Sequence, residues 1–146
     1  MASTYLSLQV HVIFATDGRA PSIGEEWRSE LHSYIGGVVR GLGAVPIMIG
    51  GTADHVHALV GLRATHAVAD VVREVKKASS LWAADRFARF RWQTGYGAFS
   101  VSPGDVERTI AYIADQEQHH RKISSAEELK ALMAEFGVEW DERFFE

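Results

Sequence analysis

The chain contains no cysteine, which excludes a disulfide framework, a thiolate metal site and a thiol nucleophile at once. Any metal it holds must be bound by imidazole, carboxylate or amide groups. It also lacks a surplus of positive charge. The net charge is −4 at neutral pH, which argues against a protein that coats nucleic acid by bulk electrostatics. No apolar run approaches the roughly 18 residues of a membrane span, and Met1 to Gln9 lacks the basic start of a signal peptide. The expectation is a cytoplasmic, soluble protein with no membrane partner. No internal repeat, low-complexity tract or linker divides the chain. Its 146 residues, 47% of them hydrophobic, suffice for one packed domain spanning 1–146 and not comfortably for two.

The charge is unevenly spread. Arg73, Lys76, Lys77, Arg86, Arg89 and Arg91 crowd one stretch against only Glu74 and Asp85, whereas the last twenty residues are strongly acidic. Such a run is commonly a solvated helix face. By itself it is weak evidence for a surface to which phosphates bind.

Along the chain, Tyr5 to Phe14 is β-branched and aromatic with partial alternation, and Asp17-Gly18 ends it, so it reads as a strand. Ile23, Trp27, Leu31, Tyr34, Ile35 and Val38 recur at helical spacing and predict a helix over Ser22 to Arg40, stopped by Gly41 and Gly43. Ala44 to Ile49 and Asp54 to Val60 read as strands joined by the Gly50-Gly51-Thr52 turn. Thr65 to about Phe87 reads as a helix carrying most of the basic stretch, and Gly95 to Val101 as a further strand. Ser102-Pro103 announces a helix of about 103–121, and a short one follows over 126–136, ending at Gly137. The order β-α-β-β-α-β is that of an α+β, ferredoxin-like split-βαβ domain, with a sheet covered on one face by helices and additional helices at the C-terminus.

Two constellations carry chemistry. In His55-Val56-His57, strand alternation projects both imidazoles from one face while Val56 points to the other, toward the core. Two imidazoles converging on one point suit a divalent cation. Two surface or hydrogen-bonded histidines are the plainer alternative. The second is Tyr112, Gln116, His119 and His120, at helical spacings that put them on one polar stripe, offset from the apolar stripe of Val106, Ile110 and Ile113. That polar stripe need not belong to the core, and taken alone it is also what an ordinary amphipathic helix presents.

Together these features resemble the HUH single-tyrosine transposases of the insertion-sequence 200/605 family. The likeness covers nearly the whole chain: HVIFAT at His11 to Thr16, DHVHALV at Asp54 to Val60, VKKASS at Val75 to Ser80, WQTGYGAFSVS at Trp92 to Ser102 and YIADQEQHH at Tyr112 to His120. Asp17-Gly18 stands where the family often carries a basic pair.

The resemblance implies that His55, His57 and Gln116 are metal ligands, with Mg²⁺ or Mn²⁺ as cofactor, and that Tyr112 is the nucleophile, carried on the C-terminal helices. It implies a DNA transposase: a metal-dependent single-stranded DNA endonuclease and strand transferase that acts on hairpin-bearing element ends through a 5′-phosphotyrosine. It further implies a homodimer with shared active sites. A free phenol titrates near pH ~10 and is a poor nucleophile toward an anionic phosphodiester, so a cation that polarises the phosphate suits this chemistry. On that substrate Arg73, Lys76, Lys77, Arg86, Arg89 and Arg91 become candidate phosphate contacts. Trp92, Trp82 or Tyr96 would stack an exposed base, with core packing the competing explanation. His119 and His120 either assist as acid, base or further ligand, or are simply favoured by the helix dipole at a C-terminus. Three alternatives stand beside this reading. One is a domesticated relative that cuts repeated chromosomal hairpins, another a hydrolytic metallonuclease, and the last a non-catalytic ferredoxin-like nucleic-acid binding module. The module alone gives no reason for the His pair and the Tyr-Gln pair to occur together.

Overall fold

The computed structural model describes residues 4–120 and 122–145. Strand β1 (Gln9–Ala15) leads to helix α1 (Glu25–Gly41), then β2 (Val45–Gly51), β3 (His55–Gly61), α2 (Val68–Ala84) and β4 (Gly97–Val101). The four strands form one antiparallel sheet in the order β2-β3-β1-β4. After β4 come α3 (Val106–Ala114), α4 (Gln116–His119) and α5 (Ser125–Glu135). The expected βαββαβ order with appended helices is the order observed. Among the described residues, no helix is long and apolar enough to cross a membrane.

Alternation along the central strands sorts side chains onto two unlike faces. Val12, Phe14, Val56, Ala58 and Val60 point one way and pack against Trp27, Leu31, Ile35 and Val39 of α1 and Val71, Val72 and Val75 of α2. On α1 those four residues recur every fourth position, so they form one stripe, and burying it is what holds the helix on the sheet. His11 and Ile13 of β1 and His55, His57 and Leu59 of β3 point the other way, with Ile13 paired opposite His57 and Ala15 opposite His55. A smaller apolar cluster, Ile13, Phe99, Leu129 and Met133, fixes α5 on this second face. Helix α3 approaches β2 so closely that a Cβ at Gly50 would lie 2.7 Å from the Ile113 carbonyl oxygen; only glycine admits that contact.

Several boundaries differ from expectation for identifiable reasons. β1 begins at Gln9 and not Tyr5, because β3 and β4 end opposite Gln9, at Gly61 and Val101. Beyond that point the Leu62 N–H donating to Leu8 O is the only extension of the ladder among the described residues. α2 ends at Ala84, so Arg86, Arg89 and Arg91 lie after the helix and not on it. The helix expected over 103–121 is a 3₁₀ turn, Pro103–Asp105, followed by α3 and α4, with a break at Asp115 (φ −97°, ψ 17°). Its expected end at Arg121 lies outside the described residues. α5 starts on a true cap, the Ser124 hydroxyl accepting from Glu127 N at 3.1 Å.

Candidate metal and nucleophile site

The second face of the sheet carries three buried histidines. His55 is 1% exposed and His57 0%, with His11 buried beside them. Burial of polar rings is tolerated only where each nitrogen finds a partner. His55 Nδ1 donates to Asp54 Oδ1 at 2.7 Å and lies 3.0 Å from the Thr52 hydroxyl, an arrangement that orients the ring and turns Nε2 toward α4 and α5. His57 Nδ1 shares one hydrogen bond with His11 Nε2 at 2.7 Å, and its Nε2 faces the Glu128 carboxylate at 2.8 Å.

Glu128 is the hub. It is 2% exposed, and both of its oxygens are in use. Oε1 accepts from His57 and from His120 Nε2 at 3.1 Å, and stands 3.5 Å from His55 Nε2. Oε2 accepts from the Tyr112 hydroxyl and from Gln116 Nε2 at 3.1 Å, and lies 3.2 Å from His119 Nε2. The Gln116 amide oxygen turns the other way, 3.0 Å from His55 Nε2 and 2.9 Å from His120 Nε2. His120 is held by Nδ1–H donating to the Ile123 carbonyl at 2.7 Å. A phenol, an amide, a carboxylate and imidazoles from β1, β3 and the α4 end therefore meet within one chain.

The electrostatics follow from that packing. Burial pushes the His55 imidazole down, but hydrogen bonds to Asp54, Glu128 and Gln116 outweigh it and raise the group to about 9. His57 is driven down to about 4 chiefly by burial, and His11 to about 3 by burial and the neighbouring His57. For Glu128, burial opposes ionisation, yet the hydrogen bonds from His120, His55 and His57 hold the carboxyl far below the ordinary range. Burial and the adjacent Glu128 carboxylate both raise the Tyr112 phenol above its ordinary value.

The donor set fits a divalent cation. Ligand atoms of His55, His57, His120 and Glu128 all lie within 4.8 Å of one another. Neighbouring donors, Gln116 Oε1 included, are 2.8 to 3.5 Å apart. Ligands ~2.0–2.2 Å from one cation at near-octahedral angles are spaced by about 3 Å. Imidazole, carboxylate and amide oxygen are donors that such a cation accepts.

Of the residues singled out in the sequence, His55, His57, Gln116 and Tyr112 are brought together, and His120 joins them. Of the polar stripe only Gln116 is fully buried, at 1% exposed, while Tyr112, His119 and His120 are partly buried. Spacing gives the phase of a stripe but not what faces it, and here a histidine-lined sheet and a carboxylate face it. Glu128 and His11 were not anticipated. Their signals were a carboxylate in the phase of the buried α5 stripe Ser125, Leu129 and Met133, and a histidine in the phase of Ile13.

The basic stretch is placed elsewhere. α2 covers the opposite face of the sheet, and its exposed Arg73 and Lys77 point away from the cluster, with Arg73 paired to Asp70 at 2.9 Å. Lys76 is bound to the Gln93 and Gly95 carbonyls at 2.7 and 2.6 Å. Arg86 lies on the Trp82 ring at 3.6 Å, and Trp82 stacks on Tyr34. Arg89 and Arg91 are exposed on the loop that bridges to Thr16, beside the His55 end of the sheet. Trp92 does not meet the expectation of an exposed base platform. It is buried between Phe14 and Phe90, with its indole N–H donating to Ser79 Oγ at 3.0 Å. Tyr96 likewise packs against the main core.

Comparison with known proteins gives a family match and two informative structures. The family described as "Transposase IS200 like" matches residues 4–116. A crystal structure of a putative transposase from Deinococcus radiodurans R1 superposes with a TM-score of 0.65 at 22% identity, covering 80% of this chain and 95% of that one. A REP-associated tyrosine transposase bound to a REP hairpin superposes with a TM-score of 0.63 at 16% identity, covering 84% and 74%. No curated protein matches the chain.

Proposed function

The chain belongs to the IS200-like transposase family, and from that premise we propose that it cuts and rejoins single-stranded, hairpin-bearing DNA through a 5′-phosphotyrosine on Tyr112. Residues 1–146 act as a single catalytic domain in this reading. The observation that carries it is the contact of the Tyr112 hydroxyl with Glu128, whose other oxygen faces His57 and His120.

His55, His57 and Gln116 would hold Mg²⁺ or Mn²⁺, with Glu128 and His120 completing the donor set. When bound, such a cation would offset the Glu128 charge, polarise the phosphodiester and counter the charge that gathers on its oxygens. Asp54 and Thr52 keep the His55 ring in place. Tyr112 Oη, oriented by its hydrogen bond to Glu128, attacks phosphorus and gives up its proton as the new P–O bond forms. The P–O3′ bond breaks and the leaving 3′-oxygen takes up a proton to become the free hydroxyl. A second 3′-hydroxyl then attacks the phosphotyrosine, restoring a phosphodiester and returning the phenol, so no nucleotide cofactor is consumed.

Tyr112 meets the His pair of its own chain, which supports a site complete within one subunit. A homodimer remains part of the proposal, but it is not needed to bring tyrosine and imidazoles together. Exposed Arg89 and Arg91, on the loop that bridges to Thr16 beside the His55 end of the sheet, are the best placed of the basic stretch to hold the strand. A neighbour of the same fold was solved on a REP hairpin, which supports hairpin DNA as the substrate class and keeps repeated chromosomal hairpins beside element ends as the target. A non-catalytic module leaves the Tyr112–Glu128–His57 chain of contacts without a reason.

The test is incubation with end-labelled single-stranded hairpin DNA and Mn²⁺, followed by denaturing electrophoresis. Label should travel with the protein, and Tyr112→Phe should abolish the adduct. Cutting that persists in Tyr112→Phe would replace this mechanism by hydrolysis.

A further inference from the structure

Next to Tyr112 lies a cavity of about 330 Å³ that the steps above leave unused. It sits between β4, the start of α3 and α5, with Tyr112 and Glu128 at its inner end. Its walls are apolar and partly aromatic: Phe99, Leu132 and Phe136, the two phenyl rings 4.9 Å apart. Its charged groups are mostly carboxylates, Asp105 and Glu135 together with Glu128. Two imidazoles, His11 and His119, also line it, and its one guanidinium among the described residues, Arg108, is already paired with Asp105.

That combination discriminates between the parts of a nucleotide. Carboxylates repel a phosphate, so the backbone is not what this cavity takes. Apolar and aromatic walls suit the faces of a base, and the carboxylate of Glu135 can accept from an exocyclic amino group. Position supplies the occupant. A phosphodiester attacked by Tyr112 has a nucleoside on either side, and this cavity opens beside the attacking hydroxyl. We propose that the cavity is a base-binding subsite for the unpaired nucleotide flanking the phosphodiester attacked by Tyr112, selective for a base that carries an amino donor. The proposal rests on the assignment of Tyr112 as nucleophile, and it adds a source of sequence preference that does not come from base pairing.

The probes are fluorescein-labelled dC12, dT12 and an abasic 12-mer, titrated with the full-length protein in EDTA and followed by anisotropy. Cytosine offers an amino donor at C4, whereas thymine presents a carbonyl oxygen at the same ring position. The expected result is dC12 bound roughly tenfold more tightly than the abasic strand, the size of one stacked base, with dT12 between them. Ala131 lines the cavity from the exposed side of α5, so Ala131→Trp should fill it and bring dC12 to the abasic level with an unchanged melting temperature. Glu135→Gln should narrow the gap between dC12 and dT12 and leave abasic binding as it was. Equal binding of dC12 and the abasic strand, or unaltered dC12 binding by folded Ala131→Trp, overturns the subsite. The Mn²⁺ adduct assay on the same proteins separates the two ideas. Base-selective binding without any wild-type adduct counts against Tyr112 as nucleophile, whereas an adduct without base selectivity counts against the cavity alone.

Discussion

Glu128 binds more of the site together than any other side chain, because it accepts from the phenol, the amide and two imidazoles at once. Removing it strips partners from His57 and Gln116, which have no water to turn to. Glu128→Ala is expected to cost about 1–3 kcal/mol of stability for the unsatisfied donors left behind, read by chemical denaturation. It should also abolish the tyrosine adduct. Glu128→Gln keeps the shape and removes the charge, so it should fold near normally while losing metal affinity, measured as Mn²⁺ binding by calorimetry. A purely structural role for Glu128 predicts the reverse, an unchanged metal affinity in folded Glu128→Gln.

At the scale of elements, the site depends on how closely α3 rides on the edge strand. Gly50 permits that approach, and its pair partner in the sheet is His57. Gly50→Ala sets a methyl group against the Ile113 backbone, which cannot turn aside as a side-chain end can. A destabilisation of ~1–3 kcal/mol is expected from overpacking, together with a loss of adduct formation larger than the stability change explains, since Tyr112 is carried on the same helix. Thermal melting and the adduct assay on one preparation check both parts. Equal stability in Gly50→Ala would mean that α3 shifts freely. The α5 cap is a milder control: Ser124→Ala should cost ~1 kcal/mol through loss of the bond from Glu127 N.

For the molecule as a whole, the buried histidines make stability depend on pH. His11 is lowered to about 3, and His32 and His57 to about 4, in each case mainly by burial. These groups bind protons more readily in the unfolded chain, near pH 6.5. Their contribution is therefore present above pH 6.5 and is lost as pH falls toward 4. His55, raised to about 9, has the opposite sign: its contribution is present below pH 6.5 and fades as pH rises through 9. In EDTA the melting temperature should fall from pH 6.5 to pH 4, and His32→Gln should flatten part of that slope. Mn²⁺ at about a hundred times its Kd should stabilise the fold by ~2.7 kcal/mol, roughly 5–10 °C for a chain of this size. His57→Ala should remove that rise.

What the chain order determined by itself is considerable, because its signals are local. Alternation put His55 and His57 on one face and Val56 on the other, and a four-residue period put Tyr112 and Gln116 on one stripe. The order of strands and helices specified the βαββαβ arrangement, and motif spacing pointed to the family. Periodicity, however, names the phase of a side chain and never its opposite number. That Gln116 is buried, that Glu128 from the last helix closes the cluster, and that His11 backs His57 are contacts between segments 46 to 71 residues apart in the chain. The same limit explains Trp92, whose indole reads as an exposed platform beside basic residues until Phe14 and Ser79 are seen to enclose it. Only the packing of α3, α4 and α5 on one face of the sheet decided these points, because burial and hydrogen-bond partnership are properties of surfaces brought together and not of any single segment.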